Sequence, residues 1–187
     1  MLIYSMGVSV DGFIADRRGQ FAWTYPTNEQ FLFHLEEVCG LGGYLMGRRL
    51  YEAMLGWETD PSLQDLYLGA EFAAAWSALP KVVFSRTRDA VQGSARLAAA
   101  SLPEEIAALA SAGKDISIGG AGLASAAIEL DLVDEFHIMR HPIVVGGGTP
   151  YFPPVLGDLP LDLVETRTFG SPVLYERYRR VRGNPTN

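Results

Sequence analysis

Lysine, cysteine and net positive charge are all scarce in this chain, and each shortage excludes a class of protein. Only Lys81 and Lys114 are lysines, and 15 basic residues face 22 acidic ones, which leaves a formal charge of -7. This surplus of negative charge argues against a nucleic-acid-binding surface. The one cysteine, Cys39, excludes an internal disulfide framework and any metal cage made of cysteines alone.

Long apolar runs are also missing. The longest stretch without a charged residue, residues 142–157, is interrupted by proline and glycine and cannot cross a bilayer as a helix. Residues 1–10 lack the basic start of a secretory signal, and Asp11 ends their apolar run. We therefore expect a cytoplasmic protein with no membrane contact. The length of 187 residues and the 48% hydrophobic content predict one globular domain over residues 1–187.

Strand and helix patterns alternate along the chain. Helices are predicted from Thr27 or Asn28 to Gly40, where the apolar stripe includes Leu32 and Cys39, and after residues 47, 71, 100 and 120. Buried strands are predicted at residues 2–10, 43–46, 81–85, 116–118 and 135–139, and an antiparallel pair at residues 161–169 and 173–181. This order predicts a three-layer α/β fold with a mostly parallel sheet and antiparallel strands at its C-terminal edge.

Three of the predicted strands end in residues that suit an anion. Carboxyl ends of parallel strands meet at one edge of a sheet, where ligands bind. Glycines let the backbone approach a phosphate, a helix start offers free N–H groups, and arginine forks bind phosphate oxygens in pairs. Together the clusters predict a site for a dinucleotide. They are Gly47-Arg48-Arg49, Ser85-Arg86-Thr87 and Gly119-Gly120-Ala121-Gly122.

Each cluster also has a simpler explanation. A glycine pair before a helix is often a packing device, and Arg49 is equally well a solvated helix residue. Gly120-x-Gly122 resembles the Rossmann fingerprint, but Ser125 occupies the third glycine position. His137 and His141 have no evident third ligand, so no metal site is predicted.

Six motifs stand in order along nearly the whole chain. They are S-V-D-G-F-I-A (9–15), M-G-R-R-L-Y-E (46–52), K-V-V-F-S-R-T (81–87), I-G-G-A-G-L-A (118–124), L-V-D-E-F (132–136) and P-I-V-V-G-G-G-T-P-Y-F (142–152). This set resembles the motifs of the dihydrofolate reductase-like superfamily, and more narrowly those of stand-alone relatives of the reductase domain of the bifunctional riboflavin-biosynthesis deaminase-reductase. That resemblance implies the three-layer fold, NADPH as cofactor, hydride transfer to a small pterin- or pyrimidine-like heterocycle, and a homodimer formed near residues 142–152.

The resemblance also assigns cofactor-binding residues. Gly47, Arg48 and Arg49 would bind phosphates and the adenosine end. Ser85, Arg86 and Thr87 would flank the adenine ribose and its 2′-phosphate. The pyrophosphate would be wrapped by Gly119, Gly120, Ala121, Gly122 and Leu123, and the Gly119–Gly120 peptide is often cis in such folds.

The substrate side departs from the family pattern. Folate reductases place an acid after Trp-x-x-Pro-x, where this chain has Asn28, and riboflavin-pathway reductases place a glutamate where it has Ile118. Asp11 and Glu29 are the candidates for polarising or protonating a substrate, although they also suit a turn former and a helix-start acid. Candidate ring-contacting residues are Trp23, Tyr25, Tyr151 and Phe152.

Two other functions remain open from the sequence. The missing substrate acids favour a nucleotide-binding or sensory dimer without turnover. An ordinary Rossmann dehydrogenase would instead bind its cofactor at the first strand turn.

Overall fold

The computed structural model describes residues 1–155 and 157–183. The predicted single domain also includes residues 156 and 184–187, which lie outside that description. The described strands are β1 (Leu2–Ser9), β2 (Phe13–Asp16), β3 (Gly43–Gly47), β4 (Lys81–Phe84), β5 (Ala95–Leu97), β6 (Ile116–Gly119), β7 (Glu135–His141), β8 (Gly148–Pro150), β9 (Leu161–Thr168) and β10 (Leu174–Arg180). The described α-helices are α1 (Asn28–Gly40), α2 (Arg48–Met54), α3 (Gly56–Thr59), α4 (Gly69–Ala78), α5 (Leu102–Ala110) and α6 (Ala121–Glu129).

Eight of the strands form one sheet in the order β5-β4-β3-β6-β1-β7-β10-β9. Every pair from β5 to β7 is parallel, and β10 runs antiparallel to both β7 and β9. The predicted mostly parallel sheet with antiparallel C-terminal strands is confirmed. A second, two-stranded sheet pairs β2 with β8.

Helices cover both faces of the large sheet, which gives three layers. On one face, α5 and α6 pack against apolar side chains of the central strands, among them Tyr4, Leu45 and Ile118. On the other face, α1, α2 and α4 pack around Met46 and Val83. Burial of these side chains is the main favourable contribution to the stability of such a domain.

Helix α1 begins with a capping box. Thr27 accepts a hydrogen bond from the Gln30 N–H, and the Gln30 side chain accepts one from the Thr27 N–H at 2.8 Å. The helix packs through Phe31, Leu35 and Val38, which are spaced at four and three residues. The predicted apolar stripe of α1 also included Leu32 and Cys39. That part of the prediction is wrong, because both side chains are exposed.

The sequence pattern did not predict three short strands, β2, β5 and β8. Two of them, β2 and β8, connect the loop after β1 to the loop after β7. The β2–β8 pair joins residues 13–16 to residues 148–150, and Tyr151 N–H donates to the Gly12 carbonyl at 2.9 Å. This pairing fixes the loop that carries Asp11. Within the described parts of the chain, no helix is long and apolar enough to span a membrane.

Candidate functional site

The three clusters that the sequence predicts to bind an anion lie side by side at the carboxyl edge of the sheet. β3 stands between β4 and β6, and in the strand register Gly47 pairs with Phe84 and Met46 with Gly119. A Cβ placed on Gly120 would lie 3.6 Å from the Gly47 nitrogen. The structure therefore brings together the segments 47–49, 85–87 and 119–123.

The turn into α6 has the geometry of an anion cradle. Gly120 is the N-cap with φ +90, a conformation that favours glycine, and no side chain caps the helix. Side chains placed at Gly47 or Gly122 would meet nothing within 4 Å, so the surface in front of the turn is open. The first N–H groups of α6 thus face accessible space. The Gly119–Gly120 peptide is trans rather than cis.

Arginines surround this edge. Arg48, Arg49 and Arg86 are exposed. Arg48 lies 3.3 Å from Glu52, which also binds Arg88 at 2.6 Å, and the hydrogen bond from Arg88 leads the causes that lower the pKa of Glu52. Among residues 1–155 and 157–183, neither Arg49 nor Arg86 forms a salt bridge, so both guanidinium groups can reach a phosphate.

A cavity of about 860 Å³ lies between α1 and the sheet, next to the cluster edge. This volume is in the range of about 300–1,000 Å³ that is usual for small-molecule sites. Most of its wall is apolar or aromatic, which suits a flat ring. The apolar lining includes Ile3, Phe31, Leu41, Met54, Trp57 and Phe72.

Two side chains connect the cavity to the glycine turn. Leu50 and Tyr44 line the cavity, and both would contact a Cβ added to Gly119, at 2.3 and 2.8 Å. Only glycine leaves room for them at that position without a shift. Burial raises the pKa of Tyr44 to about 12, so its hydroxyl stays protonated.

The polar part of the cavity wall is built around Glu37. Its two carboxylate oxygens lie 3.2 Å from His137 Nδ1 and 3.4 Å from His34 Nδ1. All three residues line the cavity. Burial raises the pKa of Glu37, but the hydrogen bonds from the two histidines outweigh it and lower the pKa from its usual value. Glu37 is therefore ionised at neutral pH.

His137 also contacts a second carboxylate, that of Glu135, through its other ring nitrogen. Its Nε2 lies 3.2 Å from Glu135, and its Nδ1 also lies 3.0 Å from the Tyr175 hydroxyl. Glu135 is buried and binds Arg177 at 2.7 Å and Arg179 at 2.8 Å. In the strand register His137 pairs with Ser5, and the next pair of the β1–β6 register would align Ser5 with Gly119. The backbone of His137 is therefore level with the glycine turn, two strands away.

The two predicted substrate acids are engaged elsewhere. Asp11 accepts hydrogen bonds from the Val145 and Gly146 N–H groups, and the Ser9 hydroxyl and these N–H groups lower its pKa. Glu29 accepts a 2.6 Å bond from the Gly170 N–H and lies 3.8 Å from Arg167. Neither side chain lines the cavity. Both carboxylates fasten loops in this structure.

The four predicted ring-contacting residues are also separated. Tyr25 lines the cavity mouth and is 75% exposed. Tyr151 is buried in the core, where its ring stacks on Tyr4 with ring centres 4.3 Å apart, and Phe152 packs edge-on against it. Trp23 packs edge-on against His141 outside the cavity lining. Asn28, at the position of the missing acid, does line the cavity.

Sequence reasoning missed the Glu37 cluster. The spacing of His34 and Glu37, three residues apart on the helix face that carries Phe31 and Val38, was an available signal. Their meeting with His137, 100 residues later, depends on the tertiary fold.

Comparison with known proteins gives consistent matches. The RibD C-terminal domain family model matches residues 1–175. The uncharacterized protein YyaP of Bacillus subtilis is 33% identical over 176 residues, covering 92% of this chain and 91% of that protein.

Solved structures share the fold. A putative riboflavin biosynthesis protein from Shewanella sp. PV-4 superposes with a TM-score of 0.74 at 27% identity, covering 97% of this chain and 99% of that one. The dihydrofolate reductase of Enterococcus faecalis complexed with NADP(H) gives a TM-score of 0.66 at 17% identity, with 96% of both chains covered. The Thermotoga maritima deaminase/5-amino-6-(5-phosphoribosylamino)uracil reductase gives 0.65 at 14% identity, covering 97% of this chain and 56% of that one.

Proposed function

This chain belongs to the RibD C-terminal domain family, and from that membership and the site geometry we propose that it is an NADPH-dependent reductase of a small heterocycle. The heterocycle is pterin- or pyrimidine-like. The family supports an oxidoreductase, and the cofactor and substrate class are our proposal.

The observation that carries the proposal is a sheet edge with an open glycine turn and exposed arginines, next to an apolar cavity. The open glycine turn at Gly120 suits a ligand with several phosphates. So do Arg49 and Arg86, which are exposed and form no salt bridge with the residues that the structure describes. The cavity, whose wall includes Leu50 and Tyr44 next to Gly119, suits a planar ring. A dinucleotide bound at the edge would direct one end toward a ring bound in the cavity.

The residues present fit NADPH. Gly119 to Leu123 would wrap the pyrophosphate, Gly47 to Arg49 would bind the phosphates and the adenosine end, and Ser85 to Thr87 would flank the 2′-phosphate. When bound, the cofactor supplies the hydride. The protein orients the two rings, excludes water with its aromatic wall, and supplies a proton.

The source of that proton is best sought in the cavity wall. Reduction of a C=N bond needs a hydride on carbon and a proton on nitrogen. Glu37, His34 and His137 are titratable groups that line the cavity and are linked by hydrogen bonds, whereas Asp11 and Glu29 bind backbone N–H groups elsewhere. We assign proton delivery to this linked group.

A binding measurement and a turnover measurement test the function. Calorimetry should show saturable NADPH binding, and the NADPH absorbance should fall steadily with at least one member of a panel of pterins, uracils and quinones. Binding without turnover on the whole panel would favour the nucleotide-binding or sensory dimer. Absence of NADPH binding would contradict both functions.

A further inference from the structure

The charges that line the cavity have one sign. Glu36, Glu37 and Asp115 contribute carboxylates, and no arginine or lysine is present among the lining residues that the structure describes. The only basic side chains in the wall are His34 and His137. An anionic ligand group would therefore meet no permanent cation there.

Of these three carboxylates, Glu37 is the one whose negative charge would act most strongly on a ligand in the cavity. Asp115 is bound at 2.8 Å by the Met1 ammonium group, and Glu36 is exposed to solvent. Glu37 is largely covered, and within residues 1–155 and 157–183 its hydrogen-bond partners are the two histidines. It stays ionised because these hydrogen bonds lower its pKa. Arg177 and Arg179 do not line the cavity and are bound to Glu135.

A phosphate group needs the opposite environment. Proteins hold phosphates with arginine forks, lysines or free backbone N–H groups, and an unpaired anion is costly to remove from water. In this molecule those groups stand at the strand ends, and Arg49, Arg86 and Gly120 line no part of the cavity. The surface proposed to bind phosphates therefore carries positive charge, whereas the cavity proposed to bind the ring carries negative charge.

We propose that the cavity selects an unphosphorylated heterocycle that is neutral or positively charged, with Glu37 as the residue that discriminates against anions. This inference rests on the proposed function and narrows its substrate class. It sets the chain apart from the Thermotoga maritima relative, whose named reductase substrate carries a phosphoribosyl group. It also distinguishes two ends of the site: phosphates of the cofactor bind at the arginines, and the second ligand binds without one.

A matched ligand series tests the proposal in the cofactor-free protein. Uracil, uridine and uridine 5′-phosphate add a sugar and then a phosphate, so the step from uridine to its phosphate isolates the charge. Pterin and 6-carboxypterin form a second pair that differs by one carboxylate. Binding is measured by calorimetry and by quenching of tryptophan fluorescence, since Trp57 lines the cavity.

The neutral member of each charge pair is expected to bind at least about tenfold more tightly than the anionic member. On entering the cavity, an anion loses its strong hydrogen bonds to water, and no arginine or lysine of the described wall replaces them. In Glu37→Gln the discrimination should fall by about tenfold, as expected for two unit charges about 10 Å apart in a partly buried site. Glu129→Gln is the control, since Glu129 is exposed at the end of α6 and outside the cavity. It should leave the discrimination unchanged.

Several results would overturn the proposal. Uridine 5′-phosphate or 6-carboxypterin binding as tightly as its neutral partner would do so, as would failure of every neutral probe to bind. Should Glu37→Gln fail a thermal-melting check, the wild-type ligand pairs still decide the question. NADPH titrated into the same protein separates the two claims: NADPH binding with no discrimination rejects the substrate class and keeps the reductase, whereas no NADPH binding rejects the reductase.

Discussion

At the scale of one residue, we propose that Arg86 makes the site prefer NADPH to NADH. NADPH differs from NADH by the 2′-phosphate, and a charge-assisted hydrogen bond to it contributes about 1.5–3 kcal/mol. We predict that NADPH binds at least about tenfold more tightly than NADH, and that Arg86→Ala removes about that factor for NADPH alone. Calorimetry with both cofactors measures this.

Arg88→Ala is the matched control, because Arg88 is also exposed but is bound to Glu52 at 2.6 Å. It should leave the preference intact. Raising the salt concentration should weaken the preference, since exposed phosphate contacts are screened. Equal dissociation constants for NADPH and NADH in the unmutated protein would remove the assignment of Arg86.

Glu135 makes stability depend on acid pH. Burial raises its pKa, but Arg177, Arg179 and His137 lower it from 4.5 to about 2. Its contribution is therefore complete above about pH 4.5 and is lost as the pH falls toward 2. Glu135→Gln should cost about 1–3 kcal/mol at pH 7, because the arginines lose a charged partner.

Urea unfolding of both proteins at pH 7 and pH 3 measures this. The gap between wild type and Glu135→Gln should narrow at pH 3. Asp162→Asn, at an exposed carboxylate on β9, controls for a general loss of charge. A gap that is equal at the two pH values would contradict the ion-pair explanation.

Some single residues could be assigned from the sequence and others could not. The common location of the glycines and arginines at the strand ends was predictable, because their position after buried strands places them at one sheet edge. Glu29 was misleading, since its place at the start of α1 does not reveal that it binds the Gly170 N–H. The role proposed for Glu37 depends on its contact with His137, which lies 100 residues later and is not contained in any local pattern.

At the scale of elements, the sequence predicts best those features that residues close together in the chain stabilise. The α1 capping box and the Ser101–Glu104 box before α5 each lie within four residues and could be read directly. The β2 and β8 strands are four and three residues long and exist through pairing with each other across the chain. Such short strands carry too little periodicity to be predicted.

The turn into α6 gives a prediction for an element. Gly120→Ala places a side chain at φ +90 and should destabilise the protein by about 1–3 kcal/mol, while also weakening NADPH binding by displacing the turn. Gly122→Ala is the control for stability: it lies within the helix, has open space around it, and should be neutral or stabilising. Urea unfolding without cofactor compares them. Equal stability of the two variants would show that the turn is not constrained.

At the scale of the whole molecule, the alternation of strands and helices predicted a mostly parallel sheet, but not the strand order. The placement of β1 between β6 and β7 brings Ser5, Gly119 and His137 to one level. The cavity depends on that order, because residues of α1 and of the strands β1, β3, β6 and β7 line it together. Its existence could therefore not be predicted from any single segment.

We further propose that the chain forms a homodimer through residues 142–152. Val144 is 69% exposed and Ile143 37% exposed on this segment, which provides apolar surface for a second copy. Light scattering should give about twice the 20.4 kDa of one chain. Val144→Glu should shift the mass toward the monomer, and Val155→Glu, at an exposed valine outside the segment, should not. A 20 kDa species alone would contradict the dimer.

Hydride transfer into a heterocycle is the central claim, and isotope transfer tests it most directly. NADPH carrying deuterium on each face of the nicotinamide C4 in turn is incubated with the protein and any heterocycle that accelerates loss of NADPH absorbance. Mass spectrometry of the product is the measurement. We predict that one of the two labelled cofactors delivers a single deuterium to a carbon of the reduced ring. Product without deuterium from either cofactor, or no reduced product with any neutral heterocycle, would contradict the assignment as a reductase.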